Sequence, residues 1–286
     1  MDAPVSEELK ADDDGASGGF RAQHLWIGVG ALIAAVTVLS GIAATIFQFH
    51  DDSEVQREVF ANIPSPMRLA FYTLIPLLIL WATVQLSYRV KNWERGAPDK
   101  RETTSKNIKT RLGDFRAGIY MQTLMRDPAA GIMHSLIYFN FLILLGVTTV
   151  LEINHQVPED LKFLHGDVYR AYALVGDLAG LGFVAGVTMA IARRYGPRSW
   201  RPYRIAVKSR PEHMVINGVL FAIGITGFGT EAFRIALEGN PEYERWSVIG
   251  YPLAQLVDGW GNLSDWHQGW WIAHVLSFCA FLVIIP

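Results

Sequence analysis

Apolar residues in this chain gather into six long runs separated by polar, charge-bearing connections. The runs cover Leu25 to Phe47, Leu69 to Tyr88, Gly131 to Leu151, Ala171 to Ala192, Met214 to Phe233 and Trp270 to Pro286. A helix needs about 20 apolar residues to cross a bilayer core of ~30 Å, and each run is near that length. Backbone groups in lipid find no water, so such runs must bond internally as helices. The pattern therefore predicts an all-α integral membrane helical bundle with about six transmembrane helices. Leu25 to Phe47 is too long and too uniformly apolar for a signal-peptide core and reads as a retained helix.

This spacing divides the chain. Residues 1–24, with six acids and the stretch DDDGASGG, read as a disordered cytoplasmic tail. Two N-terminal transmembrane helices follow over 25–88, then a basic cytoplasmic loop over 89–130, then a helical bundle over 131–286. The last run has only 17 residues and no polar or basic flank, so its final carbonyls would end in or near hydrocarbon. The natural polypeptide is accordingly expected to continue past Pro286, with the bundle truncated at its C-terminus. The connection from Ala236 to Gln268 carries Trp246, Tyr251, Trp260 and Trp266 and reads as an interfacial segment with its rings at headgroup depth.

Charge fixes the expected orientation. Ten Lys and Arg lie between Arg89 and Arg126 and seven between Arg193 and Arg210, which with Lys10 and Arg21 puts 19 of 25 on one side. Positive residues stay cytoplasmic, so the N-terminus and both basic loops face the cytoplasm of a multi-pass protein in a bacterial cell membrane. The net charge of -2 gives no indication of nucleic-acid binding. A single cysteine, Cys279, excludes a disulfide framework and leaves no ligand set for an iron–sulfur cluster, so any cluster must sit in a partner or a missing C-terminal domain.

Ionisable groups inside spans are functional candidates, and His134, Asp177, Glu231 and His274 are the notable ones. A neutral imidazole facing a bundle interior is the usual axial ligand of a b-type haem. His134 falls near the cytoplasmic edge of its run and His274 near the outer edge of its own, which places them about 20 Å apart along the membrane normal. They cannot share one iron. Asp177 and Glu231 are candidates for proton transfer, and Arg234 for a haem propionate or a quinone carbonyl. Glu231 and Arg234 could equally form an i, i+3 ion pair at a helix end. Glycines recur in the fourth run (Gly176, Gly180, Gly182, Gly186) and the fifth (Gly218, Gly224, Gly227, Gly229), for close helix packing or to make room for a flat macrocycle.

Several stretches together resemble a known family. GIMHSLIYFNFLILLGVTT from Gly131, FLHGDVYRAYALVGDLAG from Phe163, ARRYGPRSWRPYR from Ala192, ITGFGTEAFRIA from Ile225 and WWIAHVLSFCAFLVIIP from Trp270 look like the cytochrome b module of the nitrate reductase gamma-subunit superfamily. The similarity is to the branch fused to, or partnered with, heterodisulfide-reductase-like iron–sulfur proteins, and RVKNWERGAPDKR from Arg89 is similar to the cytoplasmic loop of the fused members. Several of those are regarded as electron-transfer-flavoprotein:menaquinone oxidoreductases. The resemblance covers roughly residues 66–286 and implies a haem-binding four-helix core.

Carried over by position, the resemblance makes His134 and His274 haem ligands, with one or two haems b. The second family histidine, ten residues after the first, is replaced by Leu144, and the other late histidine would lie past Pro286. A cytoplasmic haem would then use His134 and a residue beyond Pro286. An outer haem would use His274 with His165, which opens the fourth helix inside the FLHG segment, or with His155. The implied partners are an electron-transfer flavoprotein or similar cytoplasmic donor, a fused or separate iron–sulfur domain, and membrane menaquinone, in the electron transport of fatty acid oxidation. Two other readings stay open: a haem-free membrane anchor for a cytoplasmic redox domain, and a quinol-oxidising subunit serving a disulfide reductase.

Overall fold

The computed structural model describes residues 27–32, 34–36, 38–39, 55–93, 103–120, 122, 124–197 and 210–284. Among the described residues after 55 there are seven α-helices: α1 (Ser65–Trp93), α2 (Ser105–Ile119), α3 (Pro128–Gln156), α4 (Gly166–Tyr195), α5 (Pro211–Leu237), α6 (Gly250–Val257) and α7 (Leu263–Ile284). Among the described residues five helices, α1, α3, α4, α5 and α7, are long and apolar enough to cross a membrane. The first expected span is described only in part, as an apolar helical stretch over Ile27–Val36, with Gly30 against Thr83 of α1. The remainder of that expectation, the tail over 1–24 and parts of both basic loops lie outside the described residues.

The spans are longer than the apolar runs because polar residues extend and cap them. α3 starts three residues before Gly131: Asp127 accepts from Ala130 N and Pro128 occupies the first turn, where a missing N–H costs nothing. At its other end Asn154 accepts from Phe163 N and Leu164 N, both at 2.9 Å, which fixes the short link into α4. The largest correction concerns α7, which begins at Leu263 rather than Trp270. The polar pair Ser264 and Asp265 and the buried His267 are helical, because Ser264 and Gln268 bond Asn62 of the loop that precedes α1.

Helix α3 packs along α4, α4 on α5, α5 on α7, and α7 on α1. α3 and α7 lack such close backbone packing among the described residues and meet through Phe141 and Phe281, with ring centroids 5.5 Å apart. Large apolar side chains such as Leu77, Leu142, Leu145, Leu178 and Leu181 point outward and are exposed. A continuous apolar exterior of this kind suits lipid and not water.

The glycines of α4 and α5 mostly admit neighbouring side chains. Gly180 receives Phe228, Gly182 receives Asn140, Gly224 receives Val184 and Gly229 receives Trp270. At Gly186 a Cβ would meet Leu136 Cβ at 2.8 Å and the backbone N of Ile137 at 2.9 Å. Gly186→Ala is therefore expected to push α3 off α4 and cost about 1–3 kcal/mol, as overpacking does. Gly218→Ala, which would point into open space, is expected to leave the detergent melting temperature unchanged. Equal melting temperatures for the two variants would contradict this.

The connection from α5 to α7 is not a simple surface segment. Trp246, Trp260 and Trp266 are exposed as an interfacial reading requires, but Glu244, Ser247, Gly250 and Ala254 are buried. A 3-10 turn over Glu242–Trp246 and α6 fold inward onto α4 and α5, because α4 and α5 carry polar groups that need partners there.

Candidate functional site

The polar residues in the half of the bundle away from the basic connections form two groups at successive levels along α5. The innermost member is His274 on α7. Thr226 of α5 has its hydroxyl 2.6 Å from Ala222 O and 3.0 Å from His274 Nδ1. A threonine has one hydroxyl proton, and the helix carbonyl takes it. With that proton on the carbonyl, the bond to His274 is donated by Nδ1–H, which assigns the lone pair to Nε2. That tautomer is the one an imidazole needs to bind iron through Nε2 while a second group steers the ring. Gly227 makes the approach possible: a Cβ there would lie 3.3 Å from His274 Cε1.

Glu231 lies five residues further out on α5, about 7 Å along the axis from the level of Thr226. Its carboxyl is within hydrogen-bonding reach of Asp177 on α4, and Ser247 donates to its Oε1 at 3.1 Å. Asp177 Oδ2 accepts from Ile249 N at 2.6 Å and Gly250 N at 3.0 Å, which caps the first turn of α6. Gly250 has no side chain because the Glu231 carboxyl occupies that space. A hydrogen bond between two carboxyl groups requires one proton. Asp177 already accepts two backbone N–H groups, and Glu231 is the candidate of the two to exchange a proton.

Ser247 links this pair to a second layer through Glu244 Oε2 at 3.3 Å. Glu244 accepts from Tyr169 at 2.6 Å and pairs with Arg234 at 2.7 Å. Arg234 also holds Glu238 at 2.8 Å. Burial alone would raise the Glu244 carboxyl, but Arg234 and the Tyr169 hydroxyl hold it below the ordinary glutamate value. At Glu238 burial outweighs Arg234 and pushes the carboxyl up.

The i, i+3 pair between Glu231 and Arg234 is not formed; Arg234 binds Glu238 and Glu244 through Nη1, and its buried Nε has no partner among the described residues.

The histidines separate clearly. Phe141 of α3 and Phe281 of α7 meet, so they mark one level in the bundle. His134 is seven residues from Phe141 toward the basic end, and His274 seven from Phe281 toward the other, which sets them about 21 Å apart along the axis. His134 is exposed on α3 and has no hydrogen-bond partner among the described residues. His165 is the N-cap residue of α4, exposed, with its backbone in a bridge to Gln56. His274 lies about 16 Å along α7 from its start, deeper than the apolar run suggests. No hydrogen bond or ring contact joins His165 to His274 among the described residues. His155 is packed edge-on against Phe60 at 5.4 Å, in a cluster with Phe71, Tyr72 and Trp271. Phe60 reaches it from a left-handed backbone, φ 63°.

The donor set thus fits a haem in part. His274 offers an imidazole bonded at Nδ1, with His155 in the ring cluster that includes Trp271, three residues from it, and His134 offers an exposed one. Sequence reasoning missed Glu244, Ser247, Tyr169 and Thr226, whose roles depend on contacts between distant segments. His267, a third outer-side histidine that the sequence offered beside His165 and His155, shares a face with His274 at i, i+7 and is buried with Nδ1 unpartnered among the described residues.

No family model matches the chain, and no solved structure matches it. It is similar to a curated protein named EtfAB:quinone oxidoreductase from Syntrophomonas wolfei subsp. wolfei (strain DSM 2245B / Goettingen), at 24% identity over 241 residues. The alignment covers 80% of this chain and 32% of that protein, so the chain spans about a third of the relative's length.

Proposed function

We propose that this chain is the membrane part of a quinone oxidoreductase, carrying electrons between a cytoplasmic donor and menaquinone by way of b-type haem. The observation that carries the reading is the layered polar system itself: an oriented imidazole at His274 with a carboxyl pair, Asp177 and Glu231, about 7 Å beyond it. Quinone reduction needs both halves of that arrangement, an electron supply and a proton supply. The likeness to a protein named for a quinone and for the flavoprotein EtfAB supports the same substrate and donor classes. Bound haem would supply one-electron redox chemistry; His274 would hold it on one side, and His134 is the candidate at the other depth. An electron-transfer flavoprotein and an iron–sulfur domain, separate or in the same polypeptide, would deliver electrons at the basic end, in the cytoplasm of a bacterial cell.

The chain's own contribution is to hold and move protons. Glu231 is positioned to release its proton toward a reduced ring, and the Ser247 hydroxyl lies between it and Glu244, within reach of both carboxyls.

A reduced-minus-oxidised optical spectrum tests the haem reading. His274→Ala is expected to lose a b-type signal, whereas Thr226→Val is expected to keep the ligand and weaken haem retention about 10–100-fold, as loss of an orienting partner does. A folded His274→Ala protein with unchanged haem content would overturn the assignment, and a spectrum without haem would leave the membrane-anchor reading in its place.

A further inference from the structure

Helix α2 has no buried residue, and its apolar side chains are ordered in space. Ile108, Leu112, Phe115 and Ile119 recur at intervals of four, three and four, which at 100° per residue confines them to an arc of about 60°. All four are exposed, Leu112 at 61% and Phe115 at 68%. Four basic residues accompany them, Lys106, Lys109, Arg111 and Arg116, against one acid, Asp114. The pattern also puts Arg111 on one flank of the stripe and Lys109 and Arg116 on the other. Long basic side chains at those positions can lay their methylenes beside an apolar surface and keep their charges at headgroup level.

The tethers hold the helix near such a surface. α2 lies between two spans, α1 and α3. Only residues 120–123 separate its end from the 3-10 turn Leu124–Arg126, and that turn packs on the first turn of α3, with Met125 against Gly131. Five residue steps reach no further than about 17 Å. The last turn of α2 is thus kept close to the level at which α3 enters the bilayer.

We propose that α2 is an in-plane membrane anchor whose Ile108–Leu112–Phe115–Ile119 stripe inserts into the anionic headgroup surface at the basic end of the bundle. Charge selects the occupant: a bilayer offers an apolar layer under a negative one, matching a stripe flanked by cations on both sides. Anchored this way, the helix limits the freedom of the connection that joins α1 to α3.

The test uses the whole chain in vesicles, with Cys279→Ser as background and a nitroxide on either Phe115→Cys or Ala117→Cys, which faces the opposite side. In phosphatidylglycerol vesicles the label at 115 is expected to collide with oxygen and be shielded from a water-soluble nickel chelate, with the reverse at 117. Phosphatidylcholine, or the pair Arg111→Glu and Arg116→Glu, is expected to abolish that shielding. A label at 115 open to nickel in anionic vesicles would overturn the proposal, as would shielding that is equal in phosphatidylcholine. Shielding that develops only when a soluble electron-donor protein is added would overturn it in favour of a protein-docking face. Repeating the measurement at Leu112→Cys guards against a local effect of one label.

Discussion

Replacing Arg234 with Leu is expected to destabilise the protein by about 3–5 kcal/mol, the cost of removing one member of a buried ion pair. Arg234 is 3% exposed and Glu244 0%, so the substitution leaves a carboxylate in the interior with only the Tyr169 and Ser247 hydroxyls to solvate it. Its other partner, Glu238, also loses its counter-ion. Arg245→Ala provides the control. That residue makes an exposed i, i+3 pair with Glu242 at 3.3 Å, and pairs of that kind contribute about 0–1 kcal/mol. Thermal unfolding in detergent should show a large loss for Arg234→Leu and almost none for Arg245→Ala. Adding Glu244→Leu to Arg234→Leu should recover part of the loss, because the isolated charge is removed with its partner.

Acid should reproduce part of the same effect. The Glu244 carboxyl is held below its ordinary value in the folded protein. The stability it contributes is present above that ordinary value and is lost as pH falls through the depressed one. A melting temperature that rises on acidification through that window would contradict the assignment.

Sequence alone made the membrane class legible because lipid imposes one simple demand, a long apolar run per span. It misplaced the start of α7 by seven residues, since Ser264, Asp265 and His267 look like loop until Asn62, some 200 positions earlier, is found bonding them. The depth of His134 relative to His274 was also legible, as helical rise is independent of what a helix packs against. The partners of Arg234 and Asp177 were not. Glu244 stands in a connection that reads as interfacial, and its burial depends on α4, α5 and the 3-10 turn arriving together. Asp177 was readable as a buried acid, but its two bonds to Ile249 N and Gly250 N come from a loop more than 70 positions away. Polar contacts between spans leave no periodic trace in a single sequence.

Glu231→Gln is expected to slow quinol formation about 10²- to 10⁴-fold, the range over which a positioned proton donor acts, while sparing the fold. Glutamine has nearly the shape of a protonated glutamic acid. Its carbonyl can accept from Ser247 in place of Oε1, and its amide can donate to Asp177. The geometry around α6 should therefore persist, since Asp177 keeps both backbone N–H groups. What the amide cannot do is give up a proton and take another. With haem reduction by the donor followed optically and quinol formation followed separately, the first is expected to stay near the parent rate and the second to fall. Ser247→Ala should show a weaker form of the same split, because it removes the hydroxyl that bonds the Glu231 carboxyl at 3.1 Å without touching the acid itself. If both rates are unchanged in Glu231→Gln, the carboxyl pair serves only to hold α6 against α4 and α5, and the protons for quinone chemistry enter elsewhere. If both fall together with the melting temperature, the variant has lost its structure; Asp177→Asn, which keeps an acceptor for the two amides, then decides between the roles by whether quinol formation falls in a protein that still melts normally.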